Sequence, residues 1–423
     1  MSSPSMKAPT GTRDILAPES DRWKALIGLF SGQMERAGYG LVQSPMFEEI
    51  GVFQRVGEDT DVVRKEMYDF EDKGGRHLAL RPEGTASIVR AFVQHHPQTP
   101  WKVWYAAPSF RYERPQAGRF RQHHQIGVEA LGVDDADLDV EVISLAWDFF
   151  ASVGLRRIDL CLNSLGDPVC RPAYLDMLAA HLVARLDDLC DEHRPRAREN
   201  PMRVLDCKRA SCREVTRDAP RTIDHLCRPC SEHFERIQEG LGALSIPFIL
   251  DTRLARGFDY YTRTTFELQA SALDGAQNAV GGGGRYDGLV EMMGGAPTPG
   301  MGFGIGVERT LLACDAEATF PVPPSSLVAF VIDVTGGTVA RDLSAALRRA
   351  GVGVVRSFDD RSMRAQMKQA DRSGASFALI IGPDELEAGT VAVRDLRGET
   401  GQHAVALEDV VAHVGALAKG GRQ

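Results

Sequence analysis

The chain has 423 residues, 43% hydrophobic and 25% charged, the balance of an ordinary globular protein with room for two or three domains. A formal charge of −9 argues against nucleic-acid binding through bulk charge and leaves any such binding to local basic patches. No apolar run reaches membrane-spanning length, and the opening MSSPSMKAPTG lacks a basic segment followed by an apolar one, so no membrane partner and a cytoplasmic location are expected.

In chain order, residues 19–37 carry Trp23, Leu26, Ile27, Phe30 and Met34 at helical spacing, with Gly38 placed to end the helix. Short extended runs and turns follow. Leu78 to Leu80 read as a strand leading into Arg81-Pro82-Glu83-Gly84-Thr85, where Thr85 can cap a helix from Ala86 and Glu83 can stabilise its N-terminus. Trp104 to Gly132 reads as a long antiparallel hairpin turning at Pro115 to Gly118. Alternation puts His123, Gln125, Gly127 and Glu129 on one face and His124, Ile126, Val128 and Ala130 on the other. The second set is core. The first lines up an aromatic base, an amide and a carboxylate beside a gap at Gly127, which makes a pocket wall. Arg111 and Glu113 share a face, and Arg114, Arg119 and Arg121 crowd the turn. Any two of these charges would pass for a solvated ion pair, but the whole set suits a phosphate, which the planar guanidinium fork grips with paired donors.

From Val140 to Gly242 the pattern is largely helical. Eight cysteines are too sparse for a disulfide framework, and they cluster mid-chain. Cys207 and Cys212 precede Cys227-Arg228-Pro229-Cys230, a spacing able to hold one structural zinc or to remain four reduced thiols; both readings stand, and no residue is assigned to a metal. From Tyr260 to Leu268 alternation returns and predicts a half-buried strand. Gly281 to Gly284, then Arg285-Tyr286-Asp287-Gly288-Leu289, lack the Lys-Ser or Lys-Thr pair of a nucleotide phosphate loop. Gly302, Gly304 and Gly306 precede a helix with Arg309 in its first turn, but Val307 stands where a dinucleotide fingerprint needs glycine. A cation there opposes the helix dipole by a few tenths to ~1 kcal/mol, which makes sense if it faces a triphosphate or stacks on adenine. PVPPSS, residues 321–326, reads as a linker. Five strand-like runs and three helix-like runs beyond it predict a small α/β domain with a mixed sheet and no catalytic constellation.

FRYERPQAGRFRQHHQIGVE resembles motif 2 of the class II aminoacyl-tRNA synthetases, in the version of the histidyl-tRNA synthetases. Pro45 sits as in motif 1, RGFDYY resembles that family's RGLDYY, GGRYDGL matches its glycine segment, and the Gly302 to Leu312 stretch resembles motif 3. The resemblance implies an α+β fold: a class II catalytic domain over 1–320, built on an antiparallel sheet flanked by helices, with a helical insertion at about 172–242. An anticodon-binding α/β domain over 327–423 follows. It also implies a homodimer that joins L-histidine to tRNA(His) by way of histidyl-adenylate, with ATP and Mg²⁺ as the substrate complex. Carried onto this sequence, Arg111 and Arg256 are the catalytic pair on the α-phosphate, and Glu113, His123 and Arg309 hold ATP. Glu83 and Thr85 receive the substrate ammonium, with Gly84 between them counted among the histidine-binding residues, Gln125 lies beside the substrate, Glu129 and Tyr261 grip the imidazole, and Tyr260 lines the pocket. Arg114, Gln116, Arg119 and Arg121 form the loop that reads the acceptor end. His123 replaces the family's usual phenylalanine, which predicts ATP binding that varies with pH near the imidazole's titration range.

Two rivals are weaker. A regulatory paralogue that senses histidine for an ATP phosphoribosyltransferase generally lacks the C-terminal domain and degrades the RGxDYY and motif 3 arginines, which this chain keeps as Arg256 and Arg309. A non-catalytic tRNA scaffold has no need for Arg111, Arg256 and Arg309 together.

Overall fold

The computed structural model describes residues 6–57, 60, 62–255, 257–273, 278–359, 361–398 and 401–420. They fall into two compact units, Met1–Val322 and Pro323–Gln423.

The first unit is organised on an eight-stranded sheet. Its spatial order is Gly40–Leu41, Trp101–Phe110, Gln122–Leu131, Gly300–Gly306, Ala279–Arg285, Thr262–Ala270, Ile158–Ser164 and Ile249–Leu250. The six inner strands pair antiparallel, and only the two short outer strands join in parallel. Trp101–Phe110 and Gln122–Leu131 are the hairpin read from alternation, with Tyr105 opposite Gly127 and Ser109 opposite His123. Ile126, Val128 and Ala130 face the core formed with helices Glu19–Arg36 and Ala136–Ser152. Phe30 centres that core, its ring meeting Phe149, Trp104 and Phe303 edge-on at 5.3 to 6.2 Å. Full burial of such a ring contributes roughly 1.5–3 kcal/mol. The first helix ends where Gly38 takes φ +81°, and the Tyr39 N–H returns to the Met34 carbonyl at 3.0 Å.

Two sequence expectations change here. Ile158–Ser164 lies inside the stretch read as helical, yet it pairs with Thr262–Ala270 as part of the eight-stranded sheet. Its signal was the alternation of Ile158, Leu160 and Leu162, short enough to be lost between two helices. Thr85 does not cap the helix Thr85–His95; the Glu83 carboxylate does, accepting from the N–H groups of Thr85 at 2.6 Å and Ala86 at 2.8 Å.

A separate three-stranded antiparallel sheet, Phe47–Glu49, His77–Leu80 and Tyr68–Glu71, leaves Phe47 and Phe70 half exposed. The insertion follows Ser164 as helices Arg171–Val183 through Arg228–Ala243. In the second unit a five-stranded mixed sheet has Ala329–Asp333 between two parallel neighbours, with Thr390–Asp395 and Gln402–Ala406 added antiparallel. Among the described residues no helix is long and apolar enough to cross a membrane.

Candidate active site

The hairpin, the glycine-rich strands and the helix Val307–Ala316 enclose a cavity of about 460 Å³. Arg111, Glu113, His123 and Gln125 come from the hairpin, and Arg309 from the first turn of the helix. Arg111 is aimed by its Nε bond to the Pro82 carbonyl at 3.0 Å, with its guanidinium 5.8 Å from the Phe258 ring centroid. Arg309 Nη1 donates to the Ala279 carbonyl at 2.7 Å. Burial lowers the Arg309 pKa, and Arg119 and Arg111 nearby lower it further, against Glu113 and Glu267, which raise it. Glu113 is the nearest counter-charge, 3.6 Å from Arg119 Nη1 and 4.0 Å from Arg111 Nη1. Such a site favours an anion with several oxygens.

Behind Gln125 lies a second, closed cluster. Glu129 is 0% exposed; its Oε1 accepts from Thr85 Oγ1 at 2.6 Å and its Oε2 from the Tyr286 hydroxyl at 2.5 Å. Glycine makes room for it. A Cβ on Gly302 would sit 2.0 Å from Glu129 Oε2, and one on Gly127 2.6 Å from the Tyr105 hydroxyl. Burial pushes the Glu129 carboxyl up to about 8; the Thr85 and Tyr286 hydroxyls offset part of this, and Glu83 repels. Burial likewise raises Glu83, against the two backbone bonds that lower it. The phenols of Tyr105, Tyr260 and Tyr286, raised first by burial, stay neutral donors. Tyr260 lies 4.6 Å from Tyr261 and 5.4 Å from Phe258 between ring centroids. The insertion holds this ring stack in place: Arg171 Nη2 donates to the Tyr261 carbonyl at 2.6 Å, and Arg203 Nη2 reaches Asp259 at 2.9 Å.

The residues singled out from sequence therefore separate into layers. Arg111, Glu113, Arg119, His123, Gln125 and Arg309 line the cavity. Glu83, Thr85, Glu129, Tyr260 and Tyr261 are buried, and Gly84 packs so closely that an added Cβ would lie 2.7 Å from the Tyr105 ring. Arg114 and Gln116 are exposed on the loop, and Arg121 stacks on Tyr112 at 3.9 Å while donating to the Glu113 carbonyl at 3.3 Å. Arg256 lies outside the described residues. The setting of His123 works against the expected pH sensitivity. Desolvation first, then the charges of Arg111, His124 and Arg309, pull its pKa down to about 3, so it stays neutral far past its usual range. The four cysteines read as one zinc set are divided: Cys207 and Cys212 lie with Cys190 and His193, Cys227 and Cys230 with Asp167 and Cys170.

Three site residues escaped the sequence reading. Tyr105 was signalled only by its register opposite Gly127, and Tyr286 only by its place in GGRYDGL. Glu308 anchors the hairpin, accepting the His124 N–H at 3.0 Å and lying 3.0 Å from His124 Nδ1.

An antiparallel sheet floored with glycine, bearing a motif 2 hairpin and a motif 3 helix around a polyanion cavity, defines a class II aminoacyl-tRNA synthetase catalytic unit. The family model for histidyl-tRNA synthetase matches residues 11–310, and that for an anticodon binding domain matches 328–417. Histidine–tRNA ligase of Moorella thermoacetica is 48% identical over 92% of this chain and 93% of its own length. That of Mycolicibacterium vanbaalenii is also 48% identical, over 97% and 98%. The crystal structure of apo S. aureus histidyl-tRNA synthetase superposes with a TM-score of 0.82 at 34% identity, covering 97% of this chain and 100% of that one. The chain belongs to the histidyl-tRNA synthetase family, the histidine–tRNA ligases, which are aminoacyl-tRNA ligases.

Proposed function

We propose that this chain activates L-histidine with ATP, as its Mg²⁺ complex, and transfers it to the 3′ end of tRNA(His). A carboxylate oxygen of histidine attacks the α-phosphorus, the bond to pyrophosphate breaks, and histidyl-adenylate forms. A hydroxyl of the terminal ribose then attacks the carbonyl and AMP leaves.

The observation that carries this reading is the layering of the site: Arg111 and Arg309 face one cavity, and Glu129, a fully buried carboxylate with no cation bound to it among the described residues, lies further along the same strand as Gln125. In this assignment Arg111 and Arg256 hold the α-phosphate from two sides, while Glu113, His123 and Arg309 seat the nucleotide. Fixed positive charge and alignment supply the catalysis, with no covalent enzyme intermediate. Glu83 keeps lone pairs beyond its two backbone bonds for the substrate ammonium, with Thr85 and Gln125 beside it. Glu129 and Tyr261 take the imidazole nitrogens, Tyr260 walls the ring, and the buried tyrosines part to admit it. A side chain without two ring nitrogens leaves those buried groups unpaired, a mechanism for roughly 10⁴-fold rejection. Arg114, Gln116, Arg119 and Arg121 meet the acceptor end. The enzyme works in the cytoplasm as a homodimer, a state supported by the half-exposed Phe47 and Phe70, whose rings meet on the three-stranded sheet.

Exchange of labelled pyrophosphate into ATP tests the assignment. Histidine alone among the amino acids is expected to support it; no exchange, or equal exchange with another amino acid, overturns the assignment.

A further inference from the structure

Six of the chain's eight cysteines, with one histidine and one aspartate, gather into two compact sets around the helical insertion. In the first, the ligand atoms of Cys190, His193, Cys207 and Cys212 all lie within 4.8 Å of one another. Cys190 Sγ is 3.1 Å from His193 Nδ1 and 4.0 Å from Cys207 Sγ. Zinc bonds of ~2.3 Å to sulfur and ~2.0 Å to nitrogen put tetrahedral donors about 3.5–3.8 Å apart, so closing the pairs by no more than about 1 Å completes the shell. The Cys190 N–H already donates to Cys212 Sγ at 3.3 Å, the kind of bond that orients and stabilises a thiolate ligand.

The surrounding fold needs such a site. The helices here, Arg196–Glu199, Met202–Leu205 and Ala210–Arg217, are too short to hold themselves. The apolar cluster beneath them is small and includes Cys207 and Cys212 themselves. A unit of this size ordinarily depends on a staple, and metal binding supplies folding free energy directly.

The second set stands at the neck. Asp167 and Cys170 lead into helix Arg171–Val183, while Cys227 and Cys230 open helix Arg228–Ala243, so the set draws the two ends of the insertion together. Cys227 Sγ lies 3.8 Å from Asp167 Oδ2, and the four ligand atoms are again within 4.8 Å of one another. Arg171, the residue after Cys170, carries the bond to the Tyr261 carbonyl, so the neck also braces the wall of the ring cluster.

We infer that the insertion is a two-zinc module, with one closed site at Cys190, His193, Cys207 and Cys212 and another at Asp167, Cys170, Cys227 and Cys230. Sulfur-rich donor sets select zinc over hard cations, and four protein ligands leave no open position, so both ions are structural. The inference is independent of the substrate assignment.

Elemental analysis of the full chain, purified without chelator from zinc-containing medium, tests it. About two zinc ions per chain are expected; Cys212→Ser removes one, Cys227→Ser removes the other, and Cys314→Ala, at a cysteine outside both sets, removes neither. Should the serine variants fold poorly, His193→Cys keeps four ligands and retains its zinc, whereas His193→Ala weakens it at least ~10-fold in competition with a chelator. Cobalt substitution adds the visible bands of tetrahedral thiolate sites, lost stepwise in the same variants. Substoichiometric zinc, an iron–sulfur chromophore, or fewer than eight reactive thiols after non-reducing denaturation overturns the inference. Zinc content that Cys227→Ser leaves unchanged overturns the neck site.

Discussion

Asp139 and Glu129 are both 0% exposed, yet they sit in opposite electrostatic states. Asp139 receives Arg285 Nε at 3.1 Å, Thr264 Oγ1 at 2.6 Å, and His233 Nε2 at 3.0 Å. Burial works to raise its pKa, but the His233 bond and the Arg285 charge outweigh that and hold it below the usual carboxylate range. Glu129 has only hydroxyl donors, with Glu83 adding repulsion, and is pushed up to about 8. The first carboxylate is completed by the protein and ties strand Ala279–Arg285 to helices Ala136–Ser152 and Arg228–Ala243. The second is left incomplete, which suits a carboxylate that finishes its hydrogen bonding with a substrate.

The contrast is tested most severely by taking away the partner that completes Asp139. Arg285→Met leaves the buried Asp139 charge with only His233 and Thr264 and is expected to cost about 3–5 kcal/mol in urea unfolding. A cost under about 1 kcal/mol would mean that Asp139 is not held as described. Arg111→Ala probes the other side. Arg111 is partly exposed and bonded to one carbonyl, so unfolding free energy should move by no more than about 0.5 kcal/mol. Single-turnover adenylate formation, by contrast, should slow by about 10²–10³-fold. Equal rates in variant and parent would remove Arg111 from the chemistry.

Glu129→Gln sharpens the comparison through pH. A carboxyl raised from 4.5 to about 8 on folding favours the folded state while protonated in both states, and that contribution is lost as pH rises through about 8. The parent should therefore lose stability relative to the glutamine variant between about pH 5 and 8, by at most ~1.4 kcal/mol per pH unit. A stability difference that stays flat across that window contradicts the raised value. Histidine affinity, measured by calorimetry above about pH 8 where Glu129 is ionised, should fall about 10-fold or more, the loss of one hydrogen bond to a charged group.

How much of this was legible in the sequence depended on how far apart the partners lie. The two faces of the hairpin could be read because period-two alternation is local and one register fixes every side chain. Resemblance to the family supplied the fold and the positions of Arg111 and Arg309. It did not say which atoms meet: Tyr286 reaches Glu129 across 157 residues, and nothing near Glu129 marks that bond. Thr85 looked like a cap because it opens a helix, but its hydroxyl is drawn to Glu129 and the capping falls to Glu83. Cys190 and Cys170 were left out of the candidate metal set for the same reason, since their partners arrive only after intervening helices.

His123 offers the mildest and most discriminating check, because the environment that keeps Glu129 protonated should keep this imidazole unprotonated. Desolvation, with Arg111, His124 and Arg309 nearby, places its pKa at about 3, so between pH 5.5 and 8.5 it carries no charge for ATP to sense. Phenylalanine at that position is also uncharged and keeps a flat ring for stacking. His123→Phe should therefore leave the pH profile of ATP binding superimposable on the parent's, with affinity shifted by about threefold or less. An inflection near 6.5 in the parent that disappears in the variant would show that the ring does titrate. The low-dielectric setting around Glu129 would then stop short of the nucleotide.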